Sequence, residues 1–446
     1  METKQSFGRT VCALAVPVAL QSMLQSSFSV VDQIMIGQLG SVSVAGVGLA
    51  GKFSGIFSVL ASAVGAIAGI MISQYLGQKN KREVHRSFYL NLVIAAGIAA
   101  LFTALCLLFP VGIMGMYTTD EDTKLAAASY LRIVSGTFLP IAGATLLSTL
   151  FRCMEKASLP LYASIGAAVL NTGLNYILIF GKLGFPALGA NGAAIATLVS
   201  QIANFLIMLL LFRSHRQILS AEKGERGLKG FNWGQYAAML MPVLICEFVW
   251  SLGENVYASI YGHLGTESCA AMTLTNPVQS LMIGALCGLS QAASVIVGKR
   301  LGTGDYEEAY SASKKLMVYG VVGSLILSVV IVLVSPWYVE IYQVEASVKL
   351  LARQILLAYA AVAPFKVLNM ILGGGIIRSG GKTNYVMAID MSGTWCFGVP
   401  LGLLSAFVLN LPIYWVYFLL SLEECFRVVI SLVVFRKRKW MNVLKS

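Results

Sequence analysis

Twelve apolar runs, each close to the ~20 residues that carry a helix across a bilayer, follow one another along this chain. They fall near 11–35, 45–72, 88–112, 125–149, 159–180 and 188–212, and then near 235–261, 268–298, 313–336, 349–375, 384–408 and 411–435. Hydrocarbon offers no partner for an unpaired backbone N–H or C=O, so a span must satisfy its own backbone, as a helix does. The runs are continuous rather than alternating, and about twice the length of a barrel strand, which argues against a β-barrel. Only 12% of residues are charged and 57% are apolar or aromatic, against about 25% charged in a soluble domain. The expected fold class is therefore all-α integral membrane, with about twelve transmembrane helices.

The net charge of +12 would suit a nucleic-acid binder if it formed a patch, but its distribution follows the membrane. With both termini cytoplasmic, the outer links hold only Lys124, Lys182 and Lys349, while the tails and inner links hold most of the lysines and arginines. That asymmetry is the positive-inside pattern, and it assigns the surplus to orientation and to anionic lipid headgroups in the cytoplasmic (inner) membrane. Acids such as Asp120, Glu121, Asp122, Glu340 and Glu345 occupy the outer links instead.

Displacing the sequence by 225 positions aligns the first two spans with the seventh and eighth without a gap. Pro17 meets Pro242, Val31 meets Val256, Gly37, Leu39 and Gly40 meet Gly262, Leu264 and Gly265, and Leu76-Gly77 meets Leu301-Gly302. Six spans per half is an even number, so both halves enter the membrane in the same sense and relate by an axis along its normal. The expected organisation is an amino-terminal six-helix lobe (1–214), a cytoplasmic linker (215–232) and a carboxy-terminal six-helix lobe with a basic tail (233–446). Two similar lobes around a central cleft can rock between inward and outward openings, which favours a transporter over an enzyme.

A charged side chain at the bilayer centre costs ~2.5–3.5 kcal/mol on insertion scales, so each one needs a partner, a wet cavity or a function. Most of the 20 acids sit in links, leaving Asp32, Glu247, Glu254, Asp390, Glu423 and Glu424 in spans. Asp32 lies fifteen residues beyond Pro17, a rise of roughly 22 Å. Pro17 removes a backbone donor and permits a bend, so a protonation change at Asp32 can be relayed through the helix. Burial penalises the charged form of a carboxylate, which makes Asp32 a candidate coupling group for a proton or sodium, and a substrate contact as well. Asn171 and Asn175 are four apart and share a helix face, either completing a polar pocket with Asp32 or joining helices. Thr197 is a further candidate, although threonine often bonds back to its own helix.

Glu247, Trp250, Glu254 and Tyr257 recur at i, i+3, i+7 and i+10 along the seventh span. Carboxylates among aromatic faces suit a flat organic cation, because cation–π attraction adds to charge neutralisation. Packing of the two aromatics is the other reading. Asp390, near the basic link from Arg378 to Lys382, reads as a gating or structural ion pair or else as a substrate contact, and Lys366 as a lone cation in search of an acid such as Glu247 or another in the lobe. Glu423, Glu424 and Arg427 lie one turn apart and read as mutually neutralising.

Other signals carry little. Gly373 to Thr383 only resembles a phosphate loop, since the required first glycine would fall on Ile376, so no nucleotide is expected. His85, His215 and His263 are scattered among links, and the eight cysteines form no close pair, so no metal site is expected.

A proline fifteen residues before Asp32, followed by IMIGQLG and AGVGLA, with IYGHLG and CAAM in the second half, resembles the multidrug and toxic compound extrusion (MATE) family. FRCMEKASLP, NTGLNYILIFGKLGFPALGANGAAIAT and GGGIIRSGGKT resemble its later segments, so the likeness covers nearly the whole chain. It implies a secondary antiporter that is not an enzyme, driven by H+ or Na+, exporting hydrophobic and often cationic compounds by alternating access. No cofactor is implied beyond the coupling ion, and a monomer is expected. Asp32 then matches the family's first-span acid and Asn171 its fifth-span asparagine, while Asn175 stands where many sodium-binding members have aspartate. Val367 lies near the place of a tenth-span acid found in another branch, and Glu247 sits closer to Pro242 than that branch's seventh-span acid. A flippase for lipid-linked oligosaccharide precursors, from the same wider superfamily, is the alternative, and it would require a cationic cleft.

Overall fold

The computed structural model describes residues 7–214, 232–342 and 344–444, and the expected linker 215–232, apart from Asn232, lies outside them, as does His215. The spans of the first half of the chain are α1 (Phe7–Gly37), α2 (Ser41–Gly77), α3 (Lys81–Leu108), α4 (Glu121–Cys153), α5 (Ser158–Phe180) and α6 (Gly189–Ser214). The second set comprises α7 (Trp233–His263), α8 (Thr266–Gly302), α9 (Tyr306–Glu340), α10 (Ala346–Ile377) and α11 (Thr383–Val408). The twelfth span, α12, is broken at Leu422 into Ile413–Ser421 and Glu423–Arg436. Eleven helices among the described residues are long and apolar enough to cross a membrane. The interrupted α12 falls short because each piece is brief and the second opens on two glutamates.

Sequence repetition reappears as local structure. Asn80 caps α3 by accepting from the Glu83 amide at 3.2 Å, and its counterpart Asp305 caps α9 by accepting from the Glu308 amide at 2.9 Å. Such caps satisfy N–H groups that have no partner within the helix. Outside the bilayer, Asp120 caps α4 through Thr123, whose hydrogen bonds hold the Asp120 carboxyl below its usual range. His85, expected in a link, lies in the first turns of α3 with its ring 4.4 Å from Tyr89.

Contacts divide the described residues into two units: one gathers those within 20–72 and 80–214, the other those within 7–19, 73–79 and 232–444. In the first, α5 and α6 approach closely because Gly181, with φ +65°, ends α5 and Gly192 leaves room for the Leu178 carbonyl. In the second, the last turns of α2 and α8 meet at repeat-equivalent glycines. A Cβ on Gly77 would overlap the Lys299 carbonyl, and one on Gly302 would overlap the Gln74 carbonyl. Small residues matter here because lipid supplies no hydrophobic drive between helices, so close backbone approach and packing must hold them. Gln74, fully buried, donates to the Ser379 and Asn442 carbonyls at 2.7 and 3.1 Å and accepts from the Leu444 amide at 2.8 Å. The carboxy-terminal residues thereby pack on the second unit, with Trp440 fully enclosed.

Gly77→Ala is expected to destabilise the protein by about 1–3 kcal/mol through overpacking. Gly97→Ala, where a Cβ meets nothing within 4 Å, should leave stability unchanged or raise it by up to ~1 kcal/mol. Thermal midpoints of the two variants in one detergent compare them directly.

Candidate functional site

Within the first unit, three helices converge on Asp32. The residue is half-buried on α1. Asn175 of α5 donates to Asp32 Oδ1 at 2.6 Å and to Asn171 Oδ1 at 3.2 Å. Asn171 donates to Thr197 Oγ1 and Ser200 Oγ of α6 at 3.5 and 3.4 Å. Turned end for end, the Asn171 amide nitrogen instead donates to Asp32 Oδ1 at 3.1 Å and Oδ2 at 3.3 Å. The two orientations suit two states of the acid. A carboxylate takes the N–H groups, whereas a carboxylic acid can give its proton to the amide oxygen. Asn175 is 1% exposed, and its Oδ1 has no hydrogen-bond partner among the described residues.

No basic group ion-pairs with Asp32 among the described residues; amides surround it, and they in turn bond hydroxyls. One turn further along, Ile36, Ile179 and Ala193 form an apolar cluster with Tyr130 and Phe180 packed against it. The four residues expected to couple an ion, Asp32, Asn171, Asn175 and Thr197, thus fall in one network, to which Ser200 belongs as well. Ser200, one turn from Thr197, carried no signal of its own in the sequence.

The second unit holds a cavity of about 360 Å³ with acids on its wall. Glu254 and Tyr257 of α7, Lys366 of α10, and Glu423 and Glu424 of α12 line it, with Tyr261, Tyr359 and Tyr417. Tyr257 Oη donates to Glu423 Oε2 at 2.5 Å, Asn369 to Glu424 Oε2 at 3.0 Å, and Tyr417 to Gln279 Oε1 at 3.0 Å. Behind the wall, Arg427 pairs with Glu423 at 3.3 Å, Glu424 at 3.7 Å and Asp390 at 3.8 Å, and donates to Thr394. Four carboxylates therefore share two cations, Arg427 and Lys366, and Lys366 has no ion-pair partner among the described residues. The lining favours a positive guest.

Several expectations need correction here. The stripe Glu247, Trp250, Glu254, Tyr257 does not act as one surface. It runs ten residues, roughly 15 Å along the helix, and its ends face different neighbours. Glu247 pairs with Arg378 at 3.8 Å, and Trp250 is 46% exposed away from the cavity. Only Glu254 and Tyr257 reach the cavity wall. Asp390 pairs with Arg427 rather than with the basic link, and accepts a hydrogen bond from Cys246 at 3.2 Å. Glu247 is engaged by Arg378, so it is not the partner of Lys366. Pro17 lies inside a continuous α1, as Pro242 lies inside α7.

The family model MatE matches residues 17–177 and again residues 242–404, one copy in each half. The chain belongs to the MATE family. Its members are transporters and not enzymes, and this chain is accordingly a multi-pass membrane transporter. A probable multidrug resistance protein NorM of Thermotoga maritima is 23% identical over 432 residues, covering 96% of this chain and 92% of that protein. The Pasteurella multocida protein of the same name is 26% identical over 447 residues, with coverage of 96% and 92%. A crystal structure of MATE in complex with MaL6 superimposes with a TM-score of 0.89 at 17% identity, covering 98% of this chain and 97% of that one. At that identity the likeness establishes the fold, twelve helices in two lobes.

In this MATE chain, repeat position 32 of the first half corresponds to 257 in the second. The first half places an acid there among amides, and the second places a tyrosine that donates to an acid from another helix.

Arg427→Gln should cost about 3–5 kcal/mol, because it strands buried carboxylates. Loss of the folded fraction on size-exclusion chromatography and a lowered thermal midpoint would report it. Arg438→Gln, whose pair with Glu307 is exposed, should leave both unchanged.

Proposed function

We propose that this MATE protein is a multidrug efflux antiporter of the cytoplasmic membrane, with both termini inside, exchanging H+ or Na+ for hydrophobic organic cations. The observation that carries the reading is the setting of Asp32: a half-buried carboxylate met by neutral amides, with no basic ion-pair partner among the described residues. Such a group can change its bound cation without breaking an ion pair. The alternate Asn171 orientation supplies a partner for either state. A single carboxylate, with Asn175 beside it, favours the proton over sodium.

The cavity of the second unit supports a cationic substrate. Its volume lies in the range of small-molecule sites, its carboxylates outnumber its cations, and its tyrosine faces offer cation–π contact. A lipid pyrophosphate would meet the wrong charge there. The relatives named as multidrug resistance proteins support the same direction of transport.

Proteoliposomes loaded with a fluorescent monovalent cation and given separate pH and sodium gradients test this reading. A pH gradient alone should drive efflux, and Asp32→Asn should abolish the coupled component at equal protein density. Drive by sodium alone, or full coupled efflux in Asp32→Asn, contradicts the proton assignment or the role of Asp32 respectively. Glu254→Gln should raise the half-saturating concentration of the cation about tenfold, equivalent to ~1.4 kcal/mol, with little effect on a neutral substrate.

A further inference from the structure

The first turns of α1 bear an apolar groove that neither the Asp32 network nor the acidic cavity uses. Gly8, Val11, Cys12, Ala15, Val16 and Ala19 line it from α1, at the spacing of one helix face. Ala285 and Leu289 of α8 and Tyr319 of α9 complete a cavity of about 390 Å³. Its floor is closed by helix contact, since a Cβ on Gly288 would overlap the Ala15 carbonyl. Its open side leaves Val16 51% and Tyr319 40% exposed.

The dimensions and the charge name an occupant. From Gly8 to Ala19 the helix rises roughly 16 Å, about half of the ~30 Å hydrocarbon core, the depth of one leaflet. At the Gly8 end, the Phe7 ring lies 6.3 Å from that of Tyr319. The Arg300 guanidinium and the Lys315 ammonium lie 5.1 and 5.4 Å from the Phe7 centroid. Here α1 begins, α8 ends and α9 is in its first turns, so these cations mark the membrane surface. Glu308 satisfies Arg300 at 3.1 Å, but Lys315 has no ion-pair partner among the described residues, and Arg9, two residues beyond Phe7, is exposed.

We propose that this groove seats one acyl chain of an anionic glycerophospholipid, with its phosphate at Lys315, beside the Arg300–Glu308 pair. The apolar walls exclude water and accept methylenes, while the excess positive charge at the mouth selects an anionic headgroup over a zwitterionic one. The site is independent of the transport reading and requires only that the chain span a membrane.

Native mass spectrometry of the purified protein with an equimolar mixture of dioleoylphosphatidylglycerol and dioleoylphosphatidylcholine tests it. One phosphatidylglycerol should be retained in preference by about fivefold, the effect of roughly one surface lysine. Lys315→Gln should remove the preference, and Cys12→Phe, which fills the groove, should cut retention of both lipids. Lys315 lies at the surface end, so that variant keeps the test decisive if Cys12→Phe fails to fold. Equal retention of the two lipids by the wild type, or a preference that survives the double change Lys315→Gln and Arg300→Gln, overturns the proposal.

Discussion

A carboxylate inside a membrane protein has lost its water, and the way each one is compensated organises this molecule. Glu423, Glu424 and Asp390 converge on a single guanidinium, Arg427, which is itself almost wholly buried. Such a cluster is costly to assemble and costlier to break, because removing one partner strands the others. It ties α11 to the first two turns of the second piece of α12, and so braces the wall of the cavity. Asp32 is compensated differently, by amide dipoles and hydroxyls. Dipoles can turn over when the charge changes, whereas a fixed guanidinium cannot. The contrast separates a centre fixed by ion pairs from one whose partners are free to reorient.

The internal duplication shows how one backbone plan came to carry both. Equivalent positions keep equivalent local duties where geometry demands it: Asn80 and Asp305 cap their helices, and Gly77 and Gly302 allow the ends of α2 and α8 to touch. Where the repeat faces a polar interior, the side chains have diverged. Position 32 is an acid and position 257 a tyrosine, yet each enters a hydrogen-bond network centred on a carboxylate. A glycine at a backbone crossing has no substitute, while a polar interior admits several chemistries.

Much of the Asp32 network was legible along the chain. Asn171 and Asn175 share a helix face by spacing alone, and a deep acid beyond a proline draws attention on cost alone. Ser200 and the apolar cluster around Ile36 were not, because what they touch is set by how closely α5 and α6 approach at Gly192. The stripe on α7 misled for the opposite reason: angular alignment says nothing of height. Glu247 and Tyr257 point the same general way, but roughly 15 Å apart they meet Arg378 and Glu423 respectively.

By itself the sequence determined what depends on period, length and transfer cost: the spans, their doubling, the uneven spread of charge between alternate links and the few acids that lipid would reject. These are one-dimensional quantities, summed along a helix. Tertiary packing alone decided which acid meets which base, that Arg427 rather than the basic link from Arg378 to Lys382 holds Asp390, and that Lys366 opens on a cavity of carboxylates and tyrosines. Those pairings join residues far apart in the chain, and their energies fall off over a few ångströms, a scale that only the assembled helices set.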